Sequence, residues 1–247
     1  MNFFARAALL LLSVFGTGSA FAQNANLPGI NVNFGQGTNL VDTMEVLLLF
    51  TILTLAPAII ILCTSFTRIV VVLSFMRQAL GTQNMPPNQL LIGFALFLSV
   101  FVMMPTGQSI WKNTVQPYNA KQIDATQALA GLEKDLRAFM EKHVRKADIG
   151  LFYDVTGAPA PADVSAVPIH YLIPAFIISE LKTAFQIGFL LYIPFIVLDM
   201  VVASILMAMG MMMLPPMLVS MPFKLLLFVL VDGWQLVTGA ILRSFNT

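Results

Sequence analysis

Residues 207–221 read MAMGMMMLPPMLVSM, seven methionines in fifteen positions, in the middle of the longest apolar stretch of the chain. Methionine is unbranched, flexible and polarizable, so a cluster of it makes a surface that repacks around many shapes. Gly210 sits inside the run and Pro215-Pro216 closes it. The backbone is therefore expected to leave α-helical geometry there. In an apolar environment irregular backbone survives only where protein buries it or where it lines a cavity. The segment reads first as a pore constriction inside a broken helical hairpin; its plainer role would be to pack helices.

Working outward, residues 172–242 are apolar, with only five charges: Glu180, Lys182, Asp199, Lys224 and Asp232. Pro174, Pro194 and Pro222 argue against straight rods. The whole chain of 247 residues is 58% hydrophobic and 10% charged, with a mean hydropathy of +0.84. Soluble domains carry about 25% charged residues. The class is an all-α integral membrane protein. A net charge of +1 gives no broad basic field, which argues against nucleic acid as a partner. The single cysteine, Cys63, allows no intrachain disulfide, and no Cys/His spacing suggests a metal.

Toward the start, Arg6, the apolar residues 7–15 and the small-x-small Ala20-Phe21-Ala22 have the form of a cleavable signal peptide, 1–22, with Ala20 and Ala22 at the cleavage site. An uncleaved anchor is the alternative. Residues 23–43 follow as a flexible, Asn- and Gly-rich periplasmic lead-in. Residues 44–105 form a first helical hairpin: an apolar segment kinked at Pro57, a connection with Arg68 and Arg77, and a second apolar block at 90–104. The positive-inside rule places that connection in the cytoplasm. Residues 106–170 form a polar, mostly helical periplasmic insertion. Leu129, Leu132, Leu136, Phe139, Met140 and Val144 recur there at helical steps. Residues 148–163 read as a loop with Pro159 and Pro161. Residues 171–247 are the second hairpin, with the methionine loop.

A charge at the bilayer centre costs about 2.5–3.5 kcal/mol on insertion scales, so each buried charge needs a partner or water. Glu180 and Lys182 are two residues apart and point in opposed directions on a helix, so their partners come from other helices or subunits. The pair is a candidate for specifying assembly; the plainer reading is that both snorkel near the interface. A hairpin turning near Pro215 brings Asp199 toward Lys224, with Asp232 competing for the same lysine. A proton relay is the sharper alternative for these acids. No phosphate loop, nucleophile elbow or paired-histidine motif occurs, and His143 and His170 read as solvated surface, so nothing points to an enzyme or a cofactor.

Three long motifs then resemble one family. TSFTRIVVVLSFMRQALGTQNMPPNQ (64–89), SELKTAFQIGF (179–189), and MGMMMLPP (209–216) with MPFKLLLFVLVDGWQL (221–236) are similar to the flagellar export-gate family FliP, whose virulence counterparts are the SctR proteins. The resemblance implies a subunit of the flagellar type III export apparatus in the bacterial inner membrane, within the basal body, passing unfolded flagellar proteins outward. It implies a pentameric ring assembled with FliQ and FliR into a helical multi-subunit channel, with FliO as assembly factor and FlhB and FlhA beside it. It puts a methionine gasket on Met209, Met211, Met212 and Met213, and subunit contacts on Phe139, Phe152 and Glu180. A virulence-injectisome subunit and a proton-coupled small-molecule transporter are the competing functions.

Overall fold

The structure, a computed structural model, describes residues 40–82, 85–159, 161, 163–211 and 213–246. The expected signal peptide with Ala20 and Ala22, most of the expected lead-in, and Met212 lie outside the described residues. Among the described residues every regular element is helical. Contacts divide the chain into two units, 1–56 and 57–247. In the first, the described residues belong to helix α1 (Leu40–Leu62), where Thr51 and Thr54 return their hydroxyls to the carbonyls of Leu47 and Phe50 at 2.8 and 2.7 Å. That back-bonding lets threonine sit on an apolar helix without an orphaned hydroxyl.

The second unit is organised around two helices. The connection that carries Arg68 and Arg77 is itself helix α2 (Phe66–Leu80). Ile69, Val72, Leu73, Met76, Ala79 and Leu80 recur at steps of three and four, so they share one side, and all are buried. Helix α3 (Asn88–Val102) packs beside it and leaves Phe97, Val100 and Phe101 outward. The chain then bends by 61° into α4 (Met104–Ile110), a π-helical turn (Trp111–Val115) and α5 (Gln116–Asn119).

Helix α6 (Ala125–His143) starts in a reciprocal cap: the Asp124 carboxylate accepts from Gln127 N–H at 2.7 Å, and the Gln127 side chain accepts from Asp124 N–H at 3.1 Å. Its C-terminal half is the buried part, through Phe139 and Met140, while Leu129 faces outward. The loop expected at 148–163 is shorter. Residues Lys146–Thr156 form helix α7, which buries Ile149 and Tyr153, and only the stretch after Gly157 departs from it. Apolar residues at helical spacing outweigh the charges of this stretch. A short 3-10 turn, Val164–Ala166, follows; hydrogen bonds from the Ser165 hydroxyl and backbone N–H hold the exposed Asp163 carboxyl below its ordinary range.

Helix α8 (Ile169–Ala208) continues for forty residues, with Pro174 and Pro194 inside it. At 1.5 Å per residue that is about 60 Å, twice the roughly 30 Å of a hydrocarbon core. Its buried stripe, Leu172, Ala175, Phe176, Ser179, Glu180, Ala184 and Gly188, lies against α2, α6 and α7 and contains several small residues. A Cβ on Gly188 would come within 2.9 Å of the Phe75 Cβ, so the two helices approach as closely as a missing side chain allows. Lipid offers apolar surface as good as leucine, so helix association there rests on such close packing and on polar contacts. After the methionine loop, α9 (Pro216–Leu230) and α10 (Gly233–Arg243) meet at a 66° bend. Among the described residues α8 alone is a single helix long and apolar enough to cross a membrane; each bent pair, α3 with α4–α5 and α9 with α10, would add one crossing.

Candidate functional site

The methionine loop begins where α8 ends, and the ending is built into the backbone. Gly210 has φ +75°, the left-handed region that glycine enters at no steric cost. Gly210 N–H donates to the Met207 carbonyl at 3.0 Å and Met211 N–H to the Leu206 carbonyl at 2.9 Å. These bonds satisfy carbonyls that a helix end otherwise orphans. Pro215 then holds extended backbone, and Pro216 opens α9 as its first residue, where a missing N–H costs nothing. The described methionines at and between these stops are exposed to differing degrees. Met209 is 66% exposed and Met213 98%, with Met211 less so at 37%.

Below the loop, the two helices it joins are tied by a carboxylate. Ser220 and Lys224 are one helical turn apart on α9, and both reach Asp199 of α8. The serine hydroxyl donates to Oδ1, and Lys224 Nζ lies 2.6 Å from Oδ2. Nζ also donates to the Ala79 carbonyl at 3.2 Å, in the last turn of α2. A cation at a helix C-terminus meets carbonyls that lack intrahelical partners and the negative end of the dipole. Lys224 is 1% exposed, so its ammonium is bound entirely by these groups. Asp232 does not join them. It occupies left-handed backbone (φ +50°) at the start of α10, exposed to the outside.

Glu180 takes its partner from within the chain. Arg68 Nη2 lies 2.5 Å from Glu180 Oε1 and Nε 2.9 Å from Oε2, a two-point contact between α2 and α8 with both side chains buried. The rest of the guanidinium is used as well. Nη1 donates to the Ser244 carbonyl at 2.7 Å and hydroxyl at 3.0 Å, and Cζ sits 3.9 Å from the centroid of the Phe245 ring. Lys182, on the other side of α8, is exposed and in no ion pair among the described residues.

Phe139 is buried beside Phe176, with ring centroids 6.0 Å apart, and Phe152 is half-buried against the same core. His143, expected at a solvated surface, is instead part of this packing: its ring lies 4.5 Å from Phe139, Nδ1 is 2.8 Å from the Phe139 carbonyl and Nε2 3.4 Å from the Phe245 carbonyl. The end of the chain brings the partner that sequence reading lacked. Sequence reading also missed Arg68, Ser220 and Ala79. The Ser220–Lys224 spacing was a usable signal, whereas nothing local marks Arg68 as the partner of a residue 112 positions away.

A family model described as the FliP family matches residues 49–241, most of the chain, including the methionine loop and both buried ion pairs. The chain belongs to the FliP family. It is 52% identical over 207 residues to the flagellar biosynthetic protein FliP of Bacillus subtilis, covering 84% of this chain and 94% of that one. The FliP protein of Aquifex aeolicus is 46% identical over 243 residues, covering 98% and 100% of the two chains. That of Borreliella burgdorferi is 44% identical over 248 residues, covering 99% and 98%. Length and identity together place it among flagellar biosynthesis proteins of the FliP family.

Proposed function

We propose that this FliP-family chain is a core, pore-forming subunit of the flagellar type III protein export gate in the inner membrane, and that its methionine loop is the gasket of the channel. The observation that carries the proposal is the loop itself. Two backbone stops, Gly210 and Pro215-Pro216, hold a short segment out of the helices while Met209, Met211 and Met213 point away from the chain's own core. A side chain as exposed as Met213 is free to meet a lumen. A ring of thioethers excludes water and ions by a hydrophobic constriction. It also yields, because an unbranched side chain with three rotatable bonds moves aside for a passing polypeptide without specific bonds.

In this reading the subunit forms a pentameric ring with FliQ and FliR, next to FlhB and FlhA and with FliO aiding assembly, and unfolded flagellar proteins are the cargo. Phe139, Phe152, Glu180 and Lys182 serve assembly in two ways. Glu180 and Phe139 shape the subunit from inside, since both are buried, and the exposed Lys182 offers a contact outward. Asp199 and Lys224 set the angle at which the loop leaves the helices, because they tie α8 to α9 just beneath it.

The test replaces Met211, Met212 and Met213 together by alanine in cells that lack the native protein. The expected outcome is an assembled gate that leaks ions and slows growth. Unchanged ion conductance in an assembled gate removes the gasket, and intact motility after deletion of the gene removes the export role.

A further inference from the structure

One outward surface has chemistry that neither the loop nor the buried ion pairs use. The segment 104–122, after the 61° bend that ends α3, contains Trp111, Lys112, Tyr118 and Lys121, all exposed, among the neutral amides Gln108, Asn113, Gln116 and Asn119. No acidic residue occurs between Glu45 and Asp124. Its other side is taken: Ser109 donates to Asp135 of α6 at 2.9 Å, and buried Thr114 packs against Gly131. The exposed aromatics and lysines are therefore held outward by the docking of this segment on α6.

We propose that this segment is an interfacial anchor, with Trp111 and Tyr118 at the headgroup level of the bilayer and Lys112 and Lys121 on the phosphates of anionic lipid. Tryptophan and tyrosine favour that depth because their rings are apolar and their N–H and O–H groups are polar. Lysines extend their ammonium groups to phosphate along apolar stems. The distances agree. Helix α3, lined outward by Phe97, Val100 and Phe101, rises about 22 Å if it stands upright, and the tilted turn after the bend carries Trp111 to about 27 Å, near the edge of a roughly 30 Å core. The segment has no acid of its own to oppose an anionic headgroup layer, and the neighbouring carboxylates are occupied, Asp124 capping α6 and Asp135 accepting from Ser109.

This inference rests on the placement of α3 in the membrane, and not on what the channel carries. It is tested on full-length protein in phosphatidylglycerol–phosphatidylcholine vesicles, with Trp234→Phe leaving Trp111 as the sole tryptophan. Lipids brominated near the glycerol end of the acyl chain should quench Trp111 roughly twofold more than lipids brominated near the chain terminus. Quenching by brominated phosphatidylglycerol should exceed that by the matching phosphatidylcholine, and K112Q with K121Q should abolish that excess while leaving the depth unchanged. A tryptophan quenched only by aqueous iodide, or shielded from both lipid and iodide as under a protein partner, overturns the anchor. The absence of a phosphatidylglycerol excess overturns the lysine contribution. A Phe97→Trp reporter in a chain lacking both native tryptophans separates the two layers of the claim. If deep bromines quench it and Trp111 fails its own test, the anchor is wrong; if they do not, the membrane placement of α3 fails first.

Discussion

Around Arg68 nearly every polar atom is engaged, whereas Met209 and Met213 in the methionine loop stand mostly or almost wholly exposed. The guanidinium holds a carboxylate, a backbone carbonyl, a hydroxyl and an aromatic face, and it draws α2, α8 and the last residues of the chain into one contact. At the loop, backbone bonds fix the path of the chain and the side chains stay outward. One region spends its chemistry inside the subunit and the other reserves it for something outside. The difference should appear directly in the response of each to truncation.

The largest effect is expected at Glu180→Ala. Removing one member of a buried ion pair leaves the other charge uncompensated, and such losses run to about 3–5 kcal/mol. The isolated subunit in detergent should therefore unfold at markedly lower temperature, and recovery of any oligomer should fall with it. A subunit of unchanged thermal stability that still fails to assemble would move Glu180 from the interior of the fold to a contact between subunits. Next comes Gly188→Ala. Its Cβ would lie 2.9 Å from the Phe75 Cβ and 2.8 Å from Cγ, with a packed helix behind, so overpacking should cost about 1–3 kcal/mol. The same melting measurement reads it, and a neutral result would mean that α2 and α8 are free to separate.

How much of this was legible in the sequence follows from chain separation. The pairing of Asp199 with Lys224 could be anticipated because they are only 25 positions apart, with one forced turn between them. Glycine and two prolines punctuate the loop, and each acts through its own backbone, so the break needs no tertiary information. Arg68 and Glu180 are 112 residues apart, and only the packed fold chooses between one arginine and another. Pro174 and Pro194 argued against a straight rod, and the helix continues across both as one element, Ile169–Ala208. Helix α7 was hidden because Pro159 and Pro161 made all of 148–163 read as a loop, while the helix ends at Thr156, before either proline.

Gly210→Ala falls lower on the scale. No atom lies within 4 Å of a Cβ built there, so the cost is that of the left-handed backbone alone, about 1–2 kcal/mol. The subunit should fold, with a modestly lower melting temperature. The larger consequence belongs to the loop, whose two folded-back hydrogen bonds depend on that conformation. If alanine at 210 were neutral, the helix end would have another route, and the position of Met211 and Met213 would not be fixed by the backbone.

The smallest stability effect is expected where the functional effect is expected to be large. Met213 is 98% exposed, so Met213→Ala removes no packed surface and should change the stability of the subunit by no more than about 0.5 kcal/mol. Met209→Ala, at 66% exposure, should behave in the same way. Placed beside Glu180→Ala in one melting series, these variants set the two regions at opposite ends of a single scale. A thioether that packed helices would instead cost about 2–5 kcal/mol when cut back to alanine. That result would turn the loop into ordinary core and deprive the seal of its compliant surface. Met213→Leu sharpens the point further. It keeps the apolar surface but removes flexibility, so a seal that depends on exclusion alone should tolerate it, while one that must also yield to a passing chain should hold ions back and export more slowly.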